Sequence, residues 1–117
     1  MISFSSTQRY FMFRQATDMR KSFDAFAAIV SAQLGGNIFS GDVFIFINRH
    51  RNRIKLLIWD RSGFVIYYKR LEEGTFEIPQ VQGEIKNIEI KWEYLVMILE
   101  GIKLNTVMRR KRYSRSA

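Results

Sequence analysis

The chain has no cysteine and a single histidine among its 117 residues. Without thiols there is no disulfide framework, no thiolate zinc site and no cysteine nucleophile. That absence fits a reducing compartment, and the cytoplasm is the expected location. No apolar run approaches the roughly 18 residues that a membrane helix needs. The start, Met1-Ile2-Ser3-Phe4-Ser5-Ser6, lacks the basic leader and apolar stretch of a signal peptide. Acidic residues are in short supply, eleven against nineteen Lys and Arg, for a net charge of +8. An excess of that size speaks to partners, nucleic acid or anionic lipid, more than to fold.

Apolar residues are plentiful: 47% of the chain is hydrophobic and 15% aromatic, with ten Phe, enough for one aromatic-rich core. The expected organisation is a single domain over residues 1–104 followed by a basic, disordered tail over 105–117. Arg9 to Arg14 reads as a first strand. Thr17 or Asp18 is placed to cap a helix whose face is Met19, Phe23, Phe26, Ala27, Val30 and Leu34. Gly35-Gly36 stops it, giving a helix over 18–34. Val43 to Ile47 is continuously apolar, as a strand covered on both faces would be. Arg53 to Trp59 alternates, with Ile54, Leu56 and Ile58 opposite Arg53, Lys55, Leu57 and Trp59. Phe64 to Leu71 is also β-rich. Asn52 and Gly63, near the ends of the two short connectors, supply the positive φ that tight hairpins require. Ile85 to Ile90 suggests a further edge strand. Trp92, Leu95, Val96, Leu99 and Ile102 recur at helical spacing up to about Gly101. The fold class is therefore α+β: a mostly antiparallel sheet, made of an N-terminal strand plus a three-stranded meander, packed by one longer N-terminal helix and one shorter C-terminal helix.

Charge is segmented along this framework. Arg49, Arg51, Arg53, Lys55, Arg61, Lys69 and Arg70 stand against Asp60 alone between positions 49 and 70. Seven Glu then dominate 72–100, and Arg109, Arg110, Lys111, Arg112 and Arg115 close the chain. Packing so many like charges into one hairpin is unfavourable unless a polyanion or an acidic segment compensates. A basic two-stranded ribbon also fits the DNA major groove. Arg49, Arg51, Arg53, Lys55, Lys69 and Arg70 are the candidate phosphate contacts, joined by Arg20 and Lys21 if the helix start lies nearby. Trp59, Tyr67 and Lys69 are read as sharing one sheet face, where aromatics can stack on unpaired bases. A solvated sheet face kept soluble by its cations is the competing reading.

Catalytic chemistry finds little footing. His50 lies between two arginines in a turn, and no Ser-His-Asp set has a third member. Asp18, Asp24, Asp42 and Asp60 are scattered; a nuclease site assembled from distant carboxylates is the one enzymatic alternative. Gly35-Gly36 lacks the lysine and context of a phosphate loop. No enzyme activity, metal or cofactor is expected.

Four blocks of sequence carry a resemblance. Thr17-Asp18-Met19-Arg20-Lys21 with Phe23-Asp24 looks like the opening signature of the TnpB accessory proteins of insertion sequence 66. The run Val43 to Leu57 resembles that family's basic hairpin. Trp59-Asp60-Arg61-Ser62-Gly63-Phe64, Tyr68-Lys69-Arg70-Leu71-Glu72 and Gly74-Thr75-Phe76 resemble the segment after it, and Leu99-Glu100-Gly101-Ile102 the end of its last helix. The similarity covers about residues 8 to 104. It implies a helper protein of a bacterial transposable element, acting beside a separately encoded transposase and another accessory protein, with no agreed catalytic residues. A non-catalytic accessory protein that binds DNA through its basic hairpin is the leading expectation. The alternative is an adaptor that docks on the transposase and touches DNA little.

Overall fold

The computed structural model describes residues 5–34, 39–78 and 87–101, with Gln33 and Leu34 described in main chain only. The expected glycine stop at 35–36, the start of the fifth strand at Ile85 and the basic tail lie outside these residues. Five strands form one sheet: β1 (Tyr10–Phe13), β2 (Val43–Ile47), β3 (Arg53–Asp60), β4 (Gly63–Arg70) and β5 (Asn87–Ile90). Their spatial order is β4-β3-β2-β1-β5. β2, β3 and β4 are the expected meander, and β5 lies antiparallel to β1 at one edge. β1 runs parallel to β2, Tyr10 opposite Val43 and Phe13 opposite Phe46. A parallel pair needs a crossover connection, and helix α1 (Phe23–Ile29), continued by a π-helical turn at Val30–Leu34, lies within it. Helix α2 (Trp92–Leu99) follows β5 directly.

The sheet is covered on both faces, and the strand periodicity of two explains how. Tyr10, Met12, Val43, Ile45, Ile47, Ile54, Leu56, Ile58 and Ile90 point to one face, where Leu95 and Ile98 of α2 and the loop residue Phe76 complete the cluster. Phe13, Phe44, Phe46 and Leu57 point to the other, against Phe26 and Val30. β2 sits third of the five strands, so all five of its residues are buried. On the α1 face the Phe26 and Phe46 rings lie 4.6 Å apart, with Phe13 beyond at 6.2 Å from Phe46. Among the described residues, no helix is long and apolar enough to cross a membrane.

Three local expectations are corrected. The first helix begins at Phe23, with Ser22 as the extended residue before it, and not at Thr17 or Asp18. Thr17 instead donates its backbone N–H to the Ile47 carbonyl at 3.0 Å, and the Asp18 carboxylate accepts from the Arg20 N–H at 2.9 Å. Both bonds hold 17–20 as an irregular loop. Met19 is nonetheless buried against Phe26 and Val30, so its spacing reported burial rather than helicity. The positive φ values of the two hairpins fall on Arg51 (57°) and Arg61 (53°), not on Asn52 and Gly63. Finally, Trp59 does not share a face with Tyr67 and Lys69. Opposed residues of an antiparallel pair share a face. Trp59 is opposed to Phe64, on the α1 side, while Tyr67 and Lys69 are opposed to Leu56 and Ile54, on the α2 side.

Candidate nucleic-acid interface

The turn joining β2 to β3 is built around Asn48. Its Oδ1 accepts from the backbone N–H groups of Asn52 (3.0 Å) and Arg53 (2.9 Å), and its Nδ2 donates to Asn52 Oδ1 at 2.7 Å. Short amide side chains favour turns because they can satisfy main-chain groups in this way. The turn is also strapped from outside: Leu71 N–H donates to the Asn52 carbonyl at 2.8 Å, and Phe76 N–H to the Arg51 carbonyl at 2.6 Å. Phe76 is fully buried. The three residues carried at the tip, Arg49, His50 and Arg51, are exposed. A mobile basic loop would spread its charge over many conformers; here the backbone beneath the arginines is pinned from two sides.

The loop before α1 approaches this turn because β1 and β2 are parallel, which brings the segments leaving both strands to the same end of the sheet. Between them is a cleft of about 580 Å³, lined by Ala16, Thr17, Asp18, Met19 and Arg20 on one side and Asn48, Arg49, His50 and Arg53 on the other. Three arginines and the histidine therefore meet around one opening. One carboxylate shares it, and Arg20 engages that carboxylate closely, with Nε 3.1 Å and Nη2 2.9 Å from the Asp18 oxygens. The Arg20 side-chain and backbone bonds hold the Asp18 carboxyl down at about 2. The pair lies at the surface, with the Arg20 side chain 91% exposed.

The other anticipated residues are placed differently. Arg51 is exposed at the tip of the same turn, and Lys21 is exposed next to Arg20, but neither lines the cleft. Lys55 Nζ donates to the Met19 carbonyl and lies over the Phe26 and Tyr68 rings at 5.6 and 5.0 Å. It ties β3 to the loop that carries Arg20. Lys69 Nζ donates to the Leu99 carbonyl at 2.6 Å, the end of α2 where a cation is favoured by the helix dipole. Arg70 pairs with Glu72 at 3.2 Å on the surface. It is also directly opposite Arg53 across the two strands. Asn48, which pins the backbone of the turn beneath the arginines, and Asp18, which pairs with Arg20, were not among the expected site residues. An asparagine immediately before a run of arginines, and Asp two residues before Arg20, were the available signals.

The carboxylates remain dispersed. Asp42 is bonded by Arg9 (2.8 Å) at the entrance to β2 and Asp18 by Arg20. Among the described residues, no three His, Asp or Glu gather as metal ligands would.

These features define a class: a small basic α+β domain whose sheet ends in an arginine-lined cleft. The chain belongs to the IS66 Orf2-like protein family, whose match extends over residues 8–109. Membership assigns it an accessory role in the transposition of insertion sequence 66. Two proteins of Sinorhizobium fredii (strain NBRC 101917 / NGR234) are similar to it. Uncharacterized protein y4jC is 27% identical over 110 residues, covering 94% of this chain and 92% of the relative. Uncharacterized protein y4hO is 34% identical over 86 residues, covering 74% and 73%. No solved structure matches.

Proposed function

We propose that this accessory protein acts without catalysis, by gripping the DNA backbone in the cleft between loop 16–20 and turn 48–53. The observation that carries the reading is the convergence of Arg20, Arg49, His50 and Arg53 on one opening from two distant stretches of sequence. Guanidinium groups bond phosphate oxygens bidentately, so a pre-positioned set is suited to a phosphodiester chain. Arg20, Arg49 and Arg53 contact phosphate inside the cleft, Arg51 reaches it from the tip, and Lys21 and Arg70 add positive charge at its margins. Lys55 and Lys69 serve the site mainly by holding the loop and α2 against the sheet. The protein meets DNA and the element's transposase in the cytoplasm.

Fluorescence anisotropy with duplex DNA tests this. Affinity should fall steeply as salt rises, through counterion release, and the Arg49→Ala/Arg51→Ala/Arg53→Ala variant should bind weakly with a shallower salt dependence. Unchanged binding by that variant would remove the cleft from the account.

A second reading has its own observation. The solvent side of α2 presents Glu93, Val96 and Glu100, and the loop after β4 adds Glu72 and Glu73, all exposed. Such exposed carboxylates suit a basic partner protein, as an adaptor for the transposase would require. Pull-down with purified transposase after nuclease treatment separates the readings: association that survives favours the adaptor, and association lost with the nucleic acid favours DNA binding.

A further inference from the structure

The sheet edge beside the arginine cleft holds an aromatic side chain that phosphate binding leaves unused. β4 is an edge strand, and Tyr68 on it is 49% exposed. With Arg70 and Glu72 it lines a groove of about 330 Å³. This groove adjoins the cleft through a pair of arginines. Arg53 lines the cleft, Arg70 lines the groove, and the two are opposed across β3 and β4. Side chains so opposed have Cβ atoms about 5 Å apart, and like charges there destabilise a sheet. Glu72, paired with Arg70 at 3.2 Å, offsets part of that repulsion, and a phosphate lying between the two guanidiniums would offset the rest. Tyr68 follows on the same face, two residues and about 7 Å along the strand. Lys55, its cross-strand partner, covers the ring with its ammonium.

We propose that the DNA taken by this site is unpaired, with Tyr68 stacking on a base whose phosphate is held by Arg53 and Arg70. A strand leaving the cleft along β4 presents its backbone to the two arginines and its next base to the ring. A base held in a duplex is stacked and paired, and cannot be offered to Tyr68 without being flipped out, which costs a few kcal/mol. Arg70 and Glu72, paired at 3.2 Å, form the rim of the groove. Stacking is tolerant of sequence, because every base has a π-face.

This inference rests on the DNA-binding reading, and one titration series separates the two. A labelled single strand, the same strand annealed to its complement, and an RNA of the same sequence are titrated with the full chain, with Tyr68→Ala and with Tyr68→Trp. The wild-type chain should prefer the single DNA strand. Tyr68→Ala should lose about 5-fold to 140-fold in single-strand affinity, the scale of one stacked base, and leave duplex affinity unchanged. Tyr68→Trp should keep single-strand affinity and show fluorescence quenching when the strand is added. Equal binding of single strand and duplex, with Tyr68→Ala silent on both, overturns the unpaired-strand inference and leaves the arginine cleft standing. Tighter binding of RNA reassigns the groove and overturns it as well. Salt-independent or absent binding of all three by the wild type overturns both readings.

Discussion

Arg51 occupies a backbone conformation that glycine or asparagine normally fills. At φ 57° its Cβ crowds the following carbonyl, a cost of about 1–2 kcal/mol for a residue with a side chain. Replacement by glycine removes that cost and adds about 0.5–1 kcal/mol of chain entropy to be lost on folding. Arg51→Gly should therefore be more stable by about 0.5–1 kcal/mol, or roughly 2–5 °C in melting temperature for a chain of this size. The same change removes one cation from the turn, so the slope of log affinity against log salt should shrink by about 0.9. Arg61 supplies the control. It has φ 53°, the same strain, in the turn at the opposite end of the eight-residue strands β3 and β4, about 25 Å away. Arg61→Gly should gain similar stability and leave DNA binding nearly unchanged. Urea unfolding and anisotropy titrations of both variants measure the two quantities independently. Destabilisation by either glycine refutes the strain argument. Equal loss of affinity in both variants refutes the location of the site.

Two further outcomes follow from the same contacts. Lys69→Met should destabilise the chain by about 1 kcal/mol in urea unfolding, through loss of the bond to the end of α2, while the salt slope stays unchanged; a slope lower by about 0.9 with unaltered stability would make Lys69 a phosphate contact instead. Asp18, ionised down to about 2 by its bonds to Arg20, should show that midpoint in an NMR carboxyl titration and return toward 3.8 in Arg20→Ala. Its folded value is the depressed one, so the stabilising contribution is present above the unfolded midpoint and fades as pH falls through about 2; the same midpoint in both proteins would mean the pair does not form.

Much of this arrangement could be read along the chain because burial leaves a periodic trace. The unbroken Val43–Ile47 run announced a strand covered on both sides, and it occupies the middle of the sheet. The recurrence of Phe26, Ala27 and Val30 marked α1 and its inward side, while Phe23, expected on the same face, is 43% exposed. The helix start was not legible, because Met19 obeys the helical spacing while sitting in a loop held by a long-range bond from Thr17 to Ile47. The face shared by Trp59 and its neighbours was missed for a related reason. Parity along β4 depends on hairpin register, and the Asp60–Gly63 pairing places Trp59 with Phe64. The cleft itself draws on residues about 30 positions apart. The arginine cluster at 49–53 could be found from charge, but its approach to Arg20 depends on the parallel pairing of β1 and β2, which no local pattern encodes.

The salt dependence of DNA binding tests the central claim most directly. Four phosphate contacts from Arg20, Arg49, Arg51 and Arg53 imply a slope of about −3.6 on duplex and about −2.8 on a single strand. A fourfold rise in salt should then weaken duplex binding by about 150-fold. With Arg49, Arg51 and Arg53 replaced by Ala, the slope should fall to about −0.9 and the same rise should cost only about 3.5-fold. A flat salt response in the wild type, or an unchanged slope in the triple variant, would contradict a DNA grip centred on this turn.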